Sequence, residues 1–408
     1  MGRLTQQVVF LTLEKSSHLG GAMILLIAVA RLMGEDGLGA YAYMIAITAV
    51  FVPALDLGLN TRVIREVASS RGGPAFREAI AFKVRTGAVA VLLMVCCAWA
   101  AGKSVDIILA VLLVGLSTWA MSVGDVFNSV FKGLKKAEYS AFLVGSTYLC
   151  LTGLAIGSIL YGVGLLGIAL SYLVCRIGFL GVARALIPGS AYQVGGGFKL
   201  KAVSEGIRFM PAVFFVGALL NINFLLADGM GQGAESAVYA IGYRVVAALF
   251  VLVSASNEGI LPALVEVIDN KSAFRRLFVG CFTAFVGAGL ICVALIQVLG
   301  YWAVVWIFGA DYAGAVSVLG VLCWVLPPLL CCAASHTALL ALDKSREGFV
   351  WMMCLVFFGA ILGTTGFWWA GAWGAALAPA VSGGVLGPVM GWRVWRHLGS
   401  TGTESKTS

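Results

Sequence analysis

Charge is what this sequence has least of. Lys, Arg, Asp and Glu make up 11% of 408 residues, hydrophobic residues make up 61%, and the mean hydropathy is +0.98. So few polar side chains cannot cover a water-soluble protein of this length, because charged residues are almost never buried unpaired and must supply much of the surface. Long hydrophilic stretches are missing as well. The longest lie near 60–83 and 185–205, so no soluble domain fits, and the remaining connections are too short to carry an active site on the outer face. The ten cysteines, among them Cys96-Cys97 and Cys331-Cys332, form no CxxC and no metal-like spacing. They read as small packing residues at lipid depth, and neither metal nor cofactor is expected. No short apolar core ends in a small-residue cleavage site, because Glu14 and Lys15 come first, so the first apolar stretch is expected to stay as a helix.

Nucleotide-binding loops are also lacking. Ala101-Gly-Lys-Ser104 resembles the end of a phosphate loop, but Cys97 stands where its first glycine belongs. Gly162-x-Gly164-x-x-Gly167 has dinucleotide spacing, yet it joins two apolar runs instead of a strand and a helix. Active transport by this chain would therefore draw on an ion gradient or on a partner's energy.

What is present is a series of apolar runs near twenty residues, the length a helix needs to cross the hydrocarbon core. They fall at approximately 11–30, 39–59, 84–101, 107–127, 140–160, 165–183, 209–227, 238–257, 277–299, 314–342, 349–370 and 373–392. The runs are apolar throughout, without the alternation of a barrel strand. The expected class is all-α, a polytopic membrane protein of about twelve transmembrane helices in two six-helix bundles around a central cavity. Pro327-Pro328 is expected to break or kink the tenth run.

The basic excess, a formal net charge of +8, is distributed by topology. With the N-terminus inside, Arg62, Arg65, Arg71, Arg77, Lys132, Lys135, Lys136, Lys199, Lys201, Arg275 and Arg276 are cytoplasmic, while Arg31 and Lys103 are external. This positive-inside bias places both termini in the cytoplasm and argues against nucleic acid as a partner. A weak repeat accompanies it: Arg31-Leu-Met-Gly34 leads to Tyr41 and Tyr43, and Asp228-Gly-Met-Gly231 leads to Tyr239 and Tyr243. The domains expected are an N-terminal bundle over 1–200, a C-terminal bundle over 201–397 and a short disordered cytoplasmic tail over 398–408. Two such bundles suit a transporter. Small-residue pairs Gly153/Gly157, Gly359/Gly363 and Gly387/Gly391 fit close helix packing.

Charges at bilayer depth cost about 2.5–3.5 kcal/mol each on insertion scales and so tend to face a cavity or a partner. The first run is too short without Glu14, Lys15 and His18, and Glu14 and His18 share a helical face. They either line a hydrated cavity or are a Lys15 stem reaching the interface with Glu14 as companion. Asp56 near the end of the second run is a coupling candidate or a capping carboxylate. Asp125 falls with Ser122, Asn128 and Ser129 at helical spacing, a polar stripe on the fourth run. Arg208 and Pro211 open the seventh run, which also carries Asn221, Asn223 and Asp228; Asn221 and Asp228 share a face. Arg244 either faces an anion or pairs with a carboxylate such as Asp228 or Asp56. His336 reads as structural.

These residues carry a resemblance. Arg31-Leu-Met-Gly34 with Gly39 and Tyr41, Asp56-Leu-Gly58-Leu followed by Arg62 and Arg65, Tyr239 with Tyr243-Arg244, then Pro262, and Phe308-Gly-Ala-Asp-Tyr312 with Ala315 occur in order over most of the chain. The chain resembles the Wzx-type flippases for lipid-linked oligosaccharides, the polysaccharide-transporter branch of the superfamily that contains the multidrug (MATE) exporters. Gly229 after Asp228 departs from the basic residue common there. The resemblance implies a flippase in a bacterial cytoplasmic (inner) membrane, moving an undecaprenyl pyrophosphate-linked oligosaccharide by alternating access during surface polysaccharide assembly (O-antigen or exopolysaccharide). Lys15, Arg31, Arg208 and Arg244 would meet the phosphates. Glu14, Asp56, Asp125 and Asp228 would serve proton or sodium coupling. Membrane lipids and a polysaccharide polymerase complex are the other implied partners. The alternatives are a MATE-like cation or drug antiporter, a lipid II flippase with more helices than this length accommodates, and a membrane glycosyl polymerase, which would need a larger external loop.

Overall fold

The structure is a computed structural model that describes residues 2–68, 72–187, 206–207, 210, 212–230, 234–254 and 257–400. Among these residues every long element is an α-helix and no strand occurs. Ten helices are long and apolar enough to cross a membrane. The first of these lies in α1 (Gly2–Asp56) and is divided by a break at Gly34, whose φ of 71° and ψ of −168° end one helical segment and start the next. A residue with a Cβ adopts that conformation only under strain, so glycine is the natural breakpoint. The shorter apolar helix Tyr239–Val251 brings the segments to the expected dozen.

Two compact units make up the chain, Met1–Met210 and Pro211–Ser408. Their elements run in the same order. In the first unit the two segments of α1 lead into the ten-residue α2 (Leu59–Ala68), followed by α3 (Gly72–Ala100), α4 (Val105–Gly133), α5 (Ala137–Leu160) and α6 (Gly164–Ala185). In the second, α7 (Ala212–Met230) and α8 (Ala234–Ser254) lead into the ten-residue α9 (Asn257–Glu266). Then come α10 (Lys271–Ile307), α11 (Ala315–Leu322), α12 (Leu326–Ala341) and α13 (Ser345–Ser400), the last broken at Ala370 and Gly371. The Tyr pairs of the sequence repeat occupy matching places. Tyr41 and Tyr43 are buried in the second crossing segment of one unit, Tyr239 and Tyr243 in that of the other.

Three local expectations change. The polar stretch 60–83 is helical over most of its described length. On α2, Leu59, Val63 and Val67 recur every four residues and are buried with Phe76 and Ala79 of α3 and Phe127, Val130 and Phe131 of α4. Burying that stripe is what holds the short helix down, since ten isolated residues would not stay helical in water. Its polar face carries Arg62, which bridges Glu66 and Glu78 at 2.8 Å each. The tail also shortens, because residues 398–400 continue α13 while 401–408 lie outside the described residues. Last, Gly153 and Gly157 have no neighbour where a Cβ would stand, whereas Gly359 and Gly363 lie against Leu219 and Asn223. Gly387 and Gly391 lie against Cys331 and Phe282, so the second and third pairs are packing devices and the first is not. Pro327 acts as expected: a 3-10 turn over Cys323–Val325 separates α11 from α12 just before it.

The joint between α1 and α2 has its own requirement. Leu57 and Gly58 both take positive φ, 43° and 74°, and a Cβ on Gly58 would run into the carbonyl oxygen of Gly206. Gly58→Ala is expected to destabilise the protein by more than the roughly 1–2 kcal/mol of left-handed strain, because the clash is with backbone. A lower melting midpoint in detergent would show it; an unchanged midpoint would mean that the two backbones do not meet so closely.

Candidate functional site

The first unit contains a polar cavity of about 280 Å³ inside its helical bundle. α1 contributes Glu14, Lys15 and His18; α2 contributes Asn60 and Ile64; α5 contributes Val144 and Tyr148. α4 supplies the largest share, with Met121, Asp125, Asn128, Ser129 and Lys132. Spacings of three, four and seven residues from Asp125 put Asn128, Ser129 and Lys132 on one face of a helix. Asp125, Asn128 and Ser129 of the stripe seen in the sequence therefore wall the cavity, while Ser122 does not line it and its carbonyl accepts from Lys83.

The charges around this cavity are arranged in two engaged pairs. Lys132 Nζ lies 2.7 Å from Glu14 Oε1, and Ser140 Oγ donates to Glu14 Oε2 at 2.6 Å. Glu14 thus pairs across helices. The other pair is deeper. Lys83 is fully buried, and its ammonium donates to Asp56 Oδ1 at 3.0 Å, to Asn60 Oδ1 at 2.9 Å and to the Ser122 carbonyl at 3.1 Å. Asp56 Oδ2 accepts from the Gly58 backbone N–H at 3.2 Å. Both oxygens of Asp56 are occupied, one by an ion pair and one by the turn that follows α1. Asn60 belongs both to this network and to the cavity lining, so the two pairs flank one space.

Asp125 differs from both. Its backbone carbonyl accepts from Ser129 Oγ at 2.7 Å, but its carboxylate has no hydrogen bond or ion pair among the described residues. On the same cavity, His18 lies against Tyr148 with ring centroids 4.5 Å apart and planes tilted by 38°. A carboxylate facing a small polar space, with its neighbouring ammonium groups already engaged, can take up and release a cation without dismantling the fold.

The structure brings Glu14, Lys15 and Asp125 together and sets Asp56 beside them. Arg31 does not join them. It is sixteen residues beyond Lys15 on the same helical segment, roughly 24 Å at helical rise, and exposed next to the Gly34 break. Asp228 and Arg244 belong to α7 and α8 of the second unit. There Tyr243 donates to Asn221 Oδ1 at 3.0 Å, and the Arg244 guanidinium lies 5.5 Å from the Tyr243 ring centre. Arg208 lies outside the described residues. His336 is buried in α12 with its ring 6.0 Å from Phe215.

Two cations escaped the sequence analysis. Lys83 stands at the edge of an apolar run and so looked like part of a loop. Arg176 is inside the run 165–183, donating to Ser117 Oγ at 3.2 Å and Thr118 Oγ1 at 3.1 Å, with its guanidinium 4.9 Å from the Tyr172 ring centre. Its position inside an apolar run was the signal available.

Two helical units of apolar membrane-crossing segments, the first of them holding ionic side chains around an internal cavity, define a multi-pass membrane protein. Solved structures share the fold. An inward-facing multidrug resistance MATE family transporter of the MOP superfamily matches with a TM-score of 0.71 at 14% identity, covering 98% of this chain and 99% of that one. An outward-facing structure from the same family gives 0.70 at 13%, covering 99% and 97%. A MOP superfamily transporter from Pyrococcus furiosus, described as having a binding pocket of reversed polarity that suggests a different function, gives 0.67 at 12%, covering 98% and 96%. The sequence itself matches the family model described as polysaccharide biosynthesis protein over residues 4–268, and the chain belongs to that family. Compared with curated proteins, it finds no significant match.

Proposed function

We propose that this protein is a flippase that carries a lipid-linked oligosaccharide, with an undecaprenyl pyrophosphate anchor, across the cytoplasmic membrane of a bacterium during surface polysaccharide assembly. The observation that carries the reading is ionic side chains around a polar cavity inside membrane-crossing helices, in a chain of the polysaccharide biosynthesis family. Pyrophosphate and sugar hydroxyls cannot enter hydrocarbon without polar groups to replace water, whereas the lipid tail can stay in the bilayer. Lys15, Arg31, Arg208 and Arg244 are the groups proposed to meet the phosphates, through charge-assisted hydrogen bonds. Transport proceeds by alternating access, with both termini cytoplasmic as the distribution of Lys and Arg implies. Asp125 is the carboxylate proposed to bind the coupling cation, a proton or a sodium ion. Glu14 and Asp56 support it from their engaged pairs, and Asp228 is the corresponding candidate in the second unit.

The deciding experiment is reconstitution of the full chain in liposomes with a fluorescent lipid-linked oligosaccharide, scoring label that becomes accessible in the opposite leaflet. Translocation above protein-free liposomes is expected, and Arg244→Ala should lower its rate about 10–100-fold, the worth of a lost hydrogen bond to a charged group. No translocation by a well-folded protein, with efflux of a cationic dye instead, would replace this reading by a drug antiporter. The carboxylates around the cavity of the first unit are the feature that would favour such a cargo.

A further inference from the structure

A second concavity, walled by cations and apolar side chains, lies in the second unit. It occupies about 980 Å³ between the start of α10 and the end of α13, and its wall includes Lys271, Arg275, Arg276 and Arg396 together with Val279 and Trp395. No carboxylate lines it. None of these four cations has an ion-pair partner among the described residues. The nearest acid along α13, Glu347, is taken up elsewhere, lying 3.6 Å from Arg393 and 2.7 Å from His397. Four like charges held around one space repel each other, and an anion in that space relieves the repulsion.

Position identifies the class of anion. α10 has 37 residues, about 55 Å at 1.5 Å per residue, against a hydrocarbon core of roughly 30 Å. Its charged end therefore stands in the headgroup layer. The apolar part of the wall is not sealed, since Trp395 and Val279 are each 40% exposed. The Arg275 guanidinium packs 3.5 Å from the Trp395 ring centre, an interfacial aromatic that holds the cation in place. Cations above exposed apolar side chains match a lipid, whose phosphates meet the first and whose acyl chains meet the second.

We propose that this groove binds the headgroup of an anionic phospholipid carrying two phosphodiesters. One phosphate would leave most of the four positive charges uncompensated; two balance them better. The proposal does not rest on the flippase reading and stands whether or not that reading does.

The test uses the detergent-solubilised full chain in native mass spectrometry with cardiolipin, phosphatidylglycerol and phosphatidylcholine as probes. Cardiolipin should bind most tightly and phosphatidylcholine least. The triple variant Arg275→Gln/Arg276→Gln/Arg396→Gln should weaken cardiolipin by about 100-fold, at roughly fivefold per cation lost. Should that variant fold poorly, Lys271→Gln/Arg276→Gln leaves the Arg275–Trp395 contact in place and should weaken it about 25-fold. Unchanged affinity in a folded variant, or no preference for cardiolipin over phosphatidylcholine, overturns the site. Displacement of bound cardiolipin by micromolar inorganic pyrophosphate would overturn the lipid assignment, because the groove would then answer to soluble diphosphates.

Discussion

Asp56→Asn is expected to cost the folded protein about 3–5 kcal/mol, the usual penalty for leaving one member of a buried ion pair without its partner. The partner here is Lys83, fully buried, with Asp56 as its carboxylate at 3.0 Å. Asparagine keeps the shape and can still accept from the Gly58 N–H, so the loss isolates the charge. Asn60 and the Ser122 carbonyl remain as neutral acceptors, which soften the penalty without removing it. Adding Lys83→Met should recover most of the lost stability, because it removes the buried ammonium that was left without its counter-charge. Melting of detergent-purified protein, followed by size-exclusion chromatography, measures both variants. If Asp56→Asn melts with the parent, the pair is not what holds α1, α2 and α3 together at this point.

Asp125→Asn should do the opposite: leave the melting midpoint in place and stop driven transport. Its carboxylate has no partner to lose among the described residues. Neutralising it removes a charge from a polar cavity inside the membrane, so the folded state gains or is unaffected. Transport driven by an imposed gradient should fall to the level of protein-free liposomes, since an amide cannot bind and release a proton and holds a sodium ion weakly. Running the assay with a pH gradient and then with a sodium gradient identifies the ion. A variant that still responds fully to the effective gradient would remove Asp125 from the coupling path. Together the two substitutions separate a carboxylate that builds the site from one left available to work in it.

The sequence is a good guide to one kind of feature and a poor one to another. Apolar runs mark the crossing helices because a helix in lipid satisfies its own backbone, so length and composition suffice. The stripe from Asp125 to Ser129 was legible for a similar reason: residues three and four apart must share a helical face. The 60–83 segment misled because its helices are amphipathic or begin before the apolar run does, and a reading by hydropathy treats such residues as loop. Lys83 was lost at that boundary, and Arg176 was overlooked inside a run whose average hydropathy stays high.

What the amino-acid sequence determined alone was the all-helical membrane architecture and the side of each helix on which polar groups gather. Tertiary structure decided which charges answer one another. Glu14 meets Lys132 and Ser140, 118 and 126 residues away, and Asp56 meets Lys83 across 27. Such pairings follow from how helices lie side by side, and no spacing along the chain encodes them. For the same reason, only packing could show that Asp125 was left over.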